Sequence, residues 1–328
     1  MKVVITGGTG FVGARLARRI LDKGTLAGPD GAQVKVDEMV LFDVVAPDPL
    51  PMSLDGQVQL VTGDMADKAL IESLIDRDDI SVFHLASVVS GGGEKDFDTA
   101  INTNLYGGLK LFEALRARAS CPRLVFASSI AVFGGQHMPD VVGDRGKQTP
   151  QTTYGMTKAC CELLINDYTR KGFLDGRSAR LPTVIVRPGK PNAAASSFAS
   201  GVFREPLKGE PCELPVNLET VMPVLGYRNI VEGILALHEL PGGKLGDDRA
   251  VSLPAMDVMV ADMIGALKRV AHNRKLGDIT VKPDPFIEAI VNSWPKASED
   301  ARALSLGLPK DQSLDDVVRN YIEDYDHG

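Results

Sequence analysis

The chain has 328 residues, 44% hydrophobic and 24% charged, enough apolar content to bury a large core and too little charge for extended disorder. Its 36 basic against 43 acidic side chains give a formal charge of −7, which argues against nucleic acid or a membrane surface as partner, since both select a basic face. Cys121, Cys160, Cys161 and Cys212 make no C-x-x-C pair and no zinc spacing, so no metal is expected and a reduced, cytoplasmic setting is; no apolar run approaches the roughly 20 residues that cross a bilayer.

Val3, Val4 and Ile5 form a short β-branched run, which predicts a strand buried on both faces of a parallel sheet. Glycines at 7, 8 and 10 then turn the chain, and Phe11, Val12, Leu16, Ile20 and Leu21 recur at helical spacing. A polar loop over 24–37 follows, to which no chemistry is assigned. Further strands are predicted over 39–42, 58–61, 82–86, 124–127 and 183–187, with helices over 69–75, 99–115 and 154–168 between them. Strands alternating with helices indicate an α/β, doubly wound parallel sheet. Beyond Pro188 the texture becomes small, polar and proline-rich. This divides the chain into a dinucleotide-binding domain, 1–188 with a return segment at about 224–253, and a smaller C-terminal substrate lobe, 189–223 and 254–328. Helices are predicted over 230–240, 258–270, 286–291 and 314–325.

Gly7, Gly10 and Gly13 have the G-x-x-G-x-x-G spacing, directly after a buried strand and opening a helix. The first permits the turn, the second lets backbone approach a pyrophosphate, and the third lets helix pack on strand; Phe11 and Val12 lie in the same turn. Asp43 ends the second strand, where a carboxylate accepts both hydroxyls of the adenosine ribose and repels a 2′-phosphate. Val44, Val45 and Ala46 follow and supply no cation, so NAD is favoured over NADP.

Tyr154 and Lys158 are four residues apart and share a face if helical. A phenol with a pKa of ~10 is a poor base at neutral pH, and a nearby ammonium stabilises its anion, so the pair suits general-base removal of a hydroxyl proton. Ser129 follows the fifth predicted strand, at the sheet edge where such folds bind ligands, and can hydrogen-bond the reacting oxygen. His84, inside an apolar strand, and Trp294 are read as structural.

Thr6-Gly7-Gly8-Thr9-Gly10-Phe11-Val12-Gly13, Ser128-Ser129 ahead of Val132-Phe133-Gly134, and Tyr154-Gly155-Met156-Thr157-Lys158 together resemble the extended short-chain dehydrogenase/reductases. The resemblance covers nearly the whole chain and implies an NAD(P)-binding Rossmann lobe. It makes Ser129 the group that polarises the oxygen, Tyr154 the acid/base, and Lys158 the group that lowers the tyrosine pKa and holds the nicotinamide ribose. It also implies that Asn104 supports the lysine and a proton relay, that Asp64 and Met65 meet adenine, that Leu85 and Ala86 run along the dinucleotide, and that Pro188 lies near the nicotinamide. A homodimer through the helices at 99–115 and 154–168 is a further implication.

Arg180 to Thr183, Arg187 through Gly201, and Asn292-Ser293-Trp294-Pro295 are similar to the D-erythronate dehydrogenase group within that family, which implies NAD-dependent oxidation of a short sugar acid at C2. For such a substrate Lys190 and Arg204 are candidates for the carboxylate, and Asn192, Ser196 and Ser90 for hydroxyls. Two rival readings stand beside it: a sugar-nucleotide epimerase with tightly held NAD, and a non-catalytic NAD-dependent binding protein.

Overall fold

Residues alternate across the first strand: Val3 and Ile5 face one apolar layer and Val4 the opposite one, all fully buried. This two-sided burial organises the computed structural model, which describes residues 1–326. The central sheet comprises β1 (Lys2–Thr6), β2 (Glu38–Asp43), β3 (Gln59–Thr62), β4 (Ile80–His84), β5 (Arg123–Ser129), β6 (Asp175–Leu181) and β9 (Ala250–Ser252). Their spatial order is β9-β6-β5-β4-β1-β2-β3, every pair parallel. One face carries α1 (Phe11–Lys23) and α7 (Tyr227–Glu239); the other carries α2 (Lys68–Leu74), α4 (Gly107–Arg116) and α5 (Thr153–Arg170). The doubly wound α/β fold expected from the sequence is therefore present.

Three local expectations need correction. The sixth strand of the sheet is Asp175–Leu181, not 183–187. An Asp-Gly-Arg-Ser-Ala-Arg-Leu segment reads as polar, yet Arg177 and Arg180 are buried within it. Burial is tolerated because Arg177 pairs with Asp175 and donates to the Leu237, His238 and Leu240 carbonyls, while Arg180 pairs with Glu162. The apolar run at 183–185 instead forms β7 (Thr183–Ile185), in a separate sheet ordered β7-β8-β10 with β8 (Val221–Gly226) and β10 (Met256–Met259). The helix expected over 99–115 is broken: Phe97–Ala100 is α-helical, Ile101–Tyr106 is a π-helical stretch, and α4 follows. The loop over 24–37 carries a short antiparallel pair, Thr25–Ala27 with Gln33–Lys35.

Four further helices, α6 (Phe198–Leu207), α8 (Val260–Val270), α9 (Pro285–Val291) and α10 (Leu314–Tyr325), gather beyond the carboxyl edge of the sheet. A second apolar core there includes Phe203, Met222, Met263, Leu267, Val317 and Trp294. Among the described residues no helix is long and apolar enough to cross a membrane.

Candidate active site

The glycine turn is dictated by close contact. Gly7 has φ of 69°, and a Cβ there would lie 2.8 Å from the Ala86 nitrogen. At Gly13 a Cβ would lie 2.2 Å from the Gly7 carbonyl oxygen, so only glycine lets α1 start against the turn. Gly10 precedes α1 without a side-chain cap, which leaves the first-turn N–H groups of the helix unclaimed by any side chain among the described residues. This bare, glycine-lined helix start fits a dinucleotide pyrophosphate. Asp43 stands beside it, accepting hydrogen bonds from the Thr9 and Val45 nitrogens at 3.1 and 3.3 Å. Just past the end of the next strand, β3, Asp64 is exposed and Met65 is buried against Gly107, where a Cβ would come within 2.7 Å of the methionine's own.

Phe11 is held from behind. It packs on Tyr227 at 5.4 Å between ring centroids and on Tyr325 at 6.1 Å. The Arg15 guanidinium lies over the Tyr227 ring at 4.3 Å and donates to Asp324 at 2.6 Å. Asp324 also accepts from Tyr227 and Arg228, so α10 is tied to the helix that opens at the glycine turn.

Beyond β4, Leu85 and Ala86 run past the turn. His84 is buried, bonded to the Thr6 hydroxyl at 2.7 Å, and pushed down to about 3 by burial and by the Lys158 charge; it is a neutral structural group, as read from the sequence. Asn104, in the π-helical stretch, accepts from the Val88 nitrogen at 2.7 Å and donates to the Val88 carbonyl at 2.9 Å. It also donates to the Thr157 hydroxyl, so its side chain grips the strand-end loop and α5 rather than Lys158.

Ser129 ends β5, its hydroxyl accepting from the Ala131 nitrogen at 3.1 Å. Thr152 caps α5 by accepting from the Gly155 nitrogen. A Cβ at Gly155 would lie 2.1 Å from the Ala131 carbonyl oxygen. That glycine lets the first turn of α5 press onto the end of β5 and brings Tyr154 beside Ser129. Burial raises the Tyr154 phenol above its ordinary value, and the Ser129 hydroxyl acts against that rise. One turn on, the Lys158 ammonium donates to the Ala127 carbonyl at 2.8 Å and lies 5.4 Å from the Tyr154 ring centroid. Burial pushes Lys158 down to about 8, opposed by Cys161 and the buried Glu162.

These elements enclose a cavity of about 320 Å³. Of the residues picked out from the sequence, Gly7, Gly10, Phe11, Val12, Gly13 and Leu85 line its cofactor side. Ser129, Tyr154, Ser90, Asn192 and Ser196 line the rest. Asp43, Asp64, Met65, Ala86, Asn104, Lys158 and Pro188 sit outside this wall. Ser90 opens α3 (Ser90–Lys95), a helix containing three glycines; its hydroxyl accepts from the Ala195 nitrogen, and a Cβ at Gly91 would lie 2.5 Å from the Ala193 carbonyl oxygen. The glycines thus seat the 193–195 loop on the site.

The structure does not bring the two candidate cations for a carboxylate to the cavity. Lys190 is exposed, and among the described residues its carbonyl alone is engaged, by Arg187. Arg204 is buried behind the wall, its guanidinium on Glu205 and on the Arg187 carbonyl. Arg187, Ser200 and Trp294 line the cavity instead and were assigned no chemistry from the sequence. For Arg187 the signal was its place as the last residue of a predicted strand; for Trp294, about 100 residues further on, there was none beyond the tetrapeptide it belongs to.

Residues 3–248 match the profile of the NAD dependent epimerase/dehydratase family. A D-erythronate dehydrogenase of Cupriavidus necator is 48% identical over 324 residues, covering 99% of this chain and 98% of the relative. A D-erythronate dehydrogenase of Haemophilus influenzae is 39% identical over 323 residues, covering 98% and 99%. Among solved structures, one described as the nucleoside-diphosphate-sugar epimerase from Agrobacterium tumefaciens superposes with a TM-score of 0.90 at 36% identity, covering 100% of this chain and 95% of the other.

Proposed function

The chain belongs to the NAD dependent epimerase/dehydratase family and is an NAD-dependent oxidoreductase acting on CH–OH groups, and we propose that it oxidises the C2 hydroxyl of a short sugar acid, D-erythronate foremost, to the 2-oxo acid. One observation carries this reading: Ser129 and Tyr154 share a cavity with the glycine turn, and Lys158 stands one helical turn behind the tyrosine. Bound NAD supplies the acceptor for the hydride that leaves C2. Tyr154 takes the hydroxyl proton on its phenolate oxygen. The Ser129 hydroxyl donates to the same substrate oxygen as it becomes a carbonyl. The Lys158 ammonium favours the phenolate electrostatically and, with the dinucleotide bound, would be a donor for its ribose hydroxyls. Asp43, with no cation in the three residues after it, supports NAD over NADP. The division into a dinucleotide domain and a substrate lobe belongs to the same reading, since the cavity draws on residues 7–13 from one and on 192–200 and Trp294 from the other.

The test is a panel of sugar acids with NAD or NADP, followed by nicotinamide absorbance. D-erythronate with NAD is expected to give NADH. Tyr154→Phe is expected to lower turnover by about 10²–10⁴-fold with NAD affinity unchanged; wild-type turnover by this variant refutes the mechanism. The likeness to the Agrobacterium structure favours one second reading, a sugar-nucleotide epimerase. It requires conversion of a nucleotide sugar without net NADH.

A further inference from the structure

We infer that Arg187 and the indole N–H of Trp294 form an anion subsite that takes the substrate carboxylate, and that Arg187 sets the preference for acids over polyols. The inference rests on the reading of Ser129 and Tyr154 as the place where the alcohol reacts, and supplies the group that orients its acid end.

Arg187 is half-buried on the cavity wall. Its guanidinium makes one hydrogen bond, to the Lys190 carbonyl at 3.0 Å, and among the described residues no carboxylate lies within ion-pair distance of it. Its backbone is fixed on both sides: the nitrogen donates to the Ser200 hydroxyl at 2.9 Å and the carbonyl accepts from Arg204 at 2.7 Å. Arg204 is already matched by Glu205, so this cluster of two cations and one acid leaves one positive charge over, facing the cavity. Burial and the Arg204 charge both depress the Arg187 pKa, a sign that the cation lacks the anion that would relieve it.

Trp294 supplies the independent observation. It is 8% exposed and lines the same cavity, yet its Nε1 is buried with no hydrogen-bond partner among the described residues. An indole nitrogen can only donate, and buried donors in native proteins are normally satisfied. A guanidinium likewise only donates. A wall of donors suits a group of acceptors, and an ionised carboxylate is acceptor-only. Ser129 and Tyr154 carry hydroxyls that both donate and accept, which suits the alcohol instead.

Trp294 is the chain's single tryptophan, so its emission reports on the subsite directly. Oxamate, a 2-oxo acid mimic, is titrated onto the NAD-saturated protein, with erythritol as the uncharged control. Oxamate is expected to change the emission saturably and erythritol to leave it unchanged. Arg187→Met is expected to weaken oxamate by about 100-fold, and Arg187→Lys, which keeps the charge but loses the fork, by about 10-fold. Lys190→Ala is expected to bind as wild type, and NAD affinity to hold in all three. In kinetics, Trp294→Phe is expected to raise KM for the sugar acid about 10-fold at nearly constant kcat. The inference is overturned if oxamate leaves the wild-type emission untouched, if Arg187→Met binds it as wild type does, or if that variant loses NAD affinity instead. Should Arg187→Met not fold, Arg187→Lys decides the matter by the same criterion. A wild-type protein that holds oxamate through Arg187 but makes no NADH from any sugar acid sinks the oxidation reading and leaves the subsite standing. An active enzyme whose KM for acids ignores Arg187 does the reverse.

Discussion

Lys158 is a charge kept in the wrong place for stability, and replacing it should show this. The side chain is 2% exposed, and burial holds its pKa at about 8 against an ordinary 10.5. Below pH 8 the proton is on the lysine in both folded and unfolded chains, and the folded chain bears the full cost of a buried ammonium. Between pH 8 and 10.5 the unfolded chain keeps the proton while the folded one releases it, so wild-type stability rises with pH across that window. The displacement from 10.5 to about 8 corresponds to about 3 kcal/mol. Lys158→Met removes this cost and forfeits the hydrogen bond to the Ala127 carbonyl, worth about 1 kcal/mol. The methionine variant should thus be about 2 kcal/mol more stable at pH 7 and about 1 kcal/mol less stable near pH 10.5. Urea unfolding of dinucleotide-free protein at several pH values measures the difference. Turnover at pH 7 should meanwhile fall by about 10²–10⁴-fold. A variant less stable than wild type at pH 7, or a difference that does not change with pH, refutes the reasoning.

Two further substitutions probe the surroundings. Glu162→Gln leaves the buried Arg180 without its close partner, Asp144 being 3.6 Å away, and should cost about 3 kcal/mol in urea unfolding. The same change removes an acid that holds the Lys158 pKa up, so the alkaline loss of activity should begin at lower pH than in wild type. Gly13→Ala should weaken NAD binding at least about tenfold and lower the melting temperature, because the added methyl meets the Gly7 carbonyl at 2.2 Å. Gly243→Ala, where a Cβ meets nothing within 4 Å among the described residues, is the control and should do neither.

The glycine turn was legible because each part of its signal is local: a β-branched strand, a turn and a helix in one continuous segment. Tyr154 and Lys158 were legible for the same reason, being one helical turn apart. Strand Asp175–Leu181 was hidden because its buried arginines are satisfied by Asp175, Glu162 and carbonyls of α7, partners that no local pattern announces. The break before α4 was hidden because a π-helical stretch has the composition of any helix. Lys190 and Arg204 were reasonable cations by position along the loop. The direction of each side chain, however, is set by tertiary neighbours: Glu205 draws Arg204 inward, while Arg187 is left facing the site. Trp294 reaches the cavity only because α9 packs beside the 195–197 segment, a contact across about 100 residues.

The bond between Arg15 and Asp324 joins residues 309 positions apart. Phe11, which faces the dinucleotide cradle, therefore owes its backing to a helix made long after it. A nascent chain halted before residue 314 would present Phe11, Arg15 and Tyr227 as a sticky, half-charged seam in place of a braced one. The glycine turn is in this sense braced across most of the sequence, so a substitution at Asp324 or Tyr325 should be felt at Phe11.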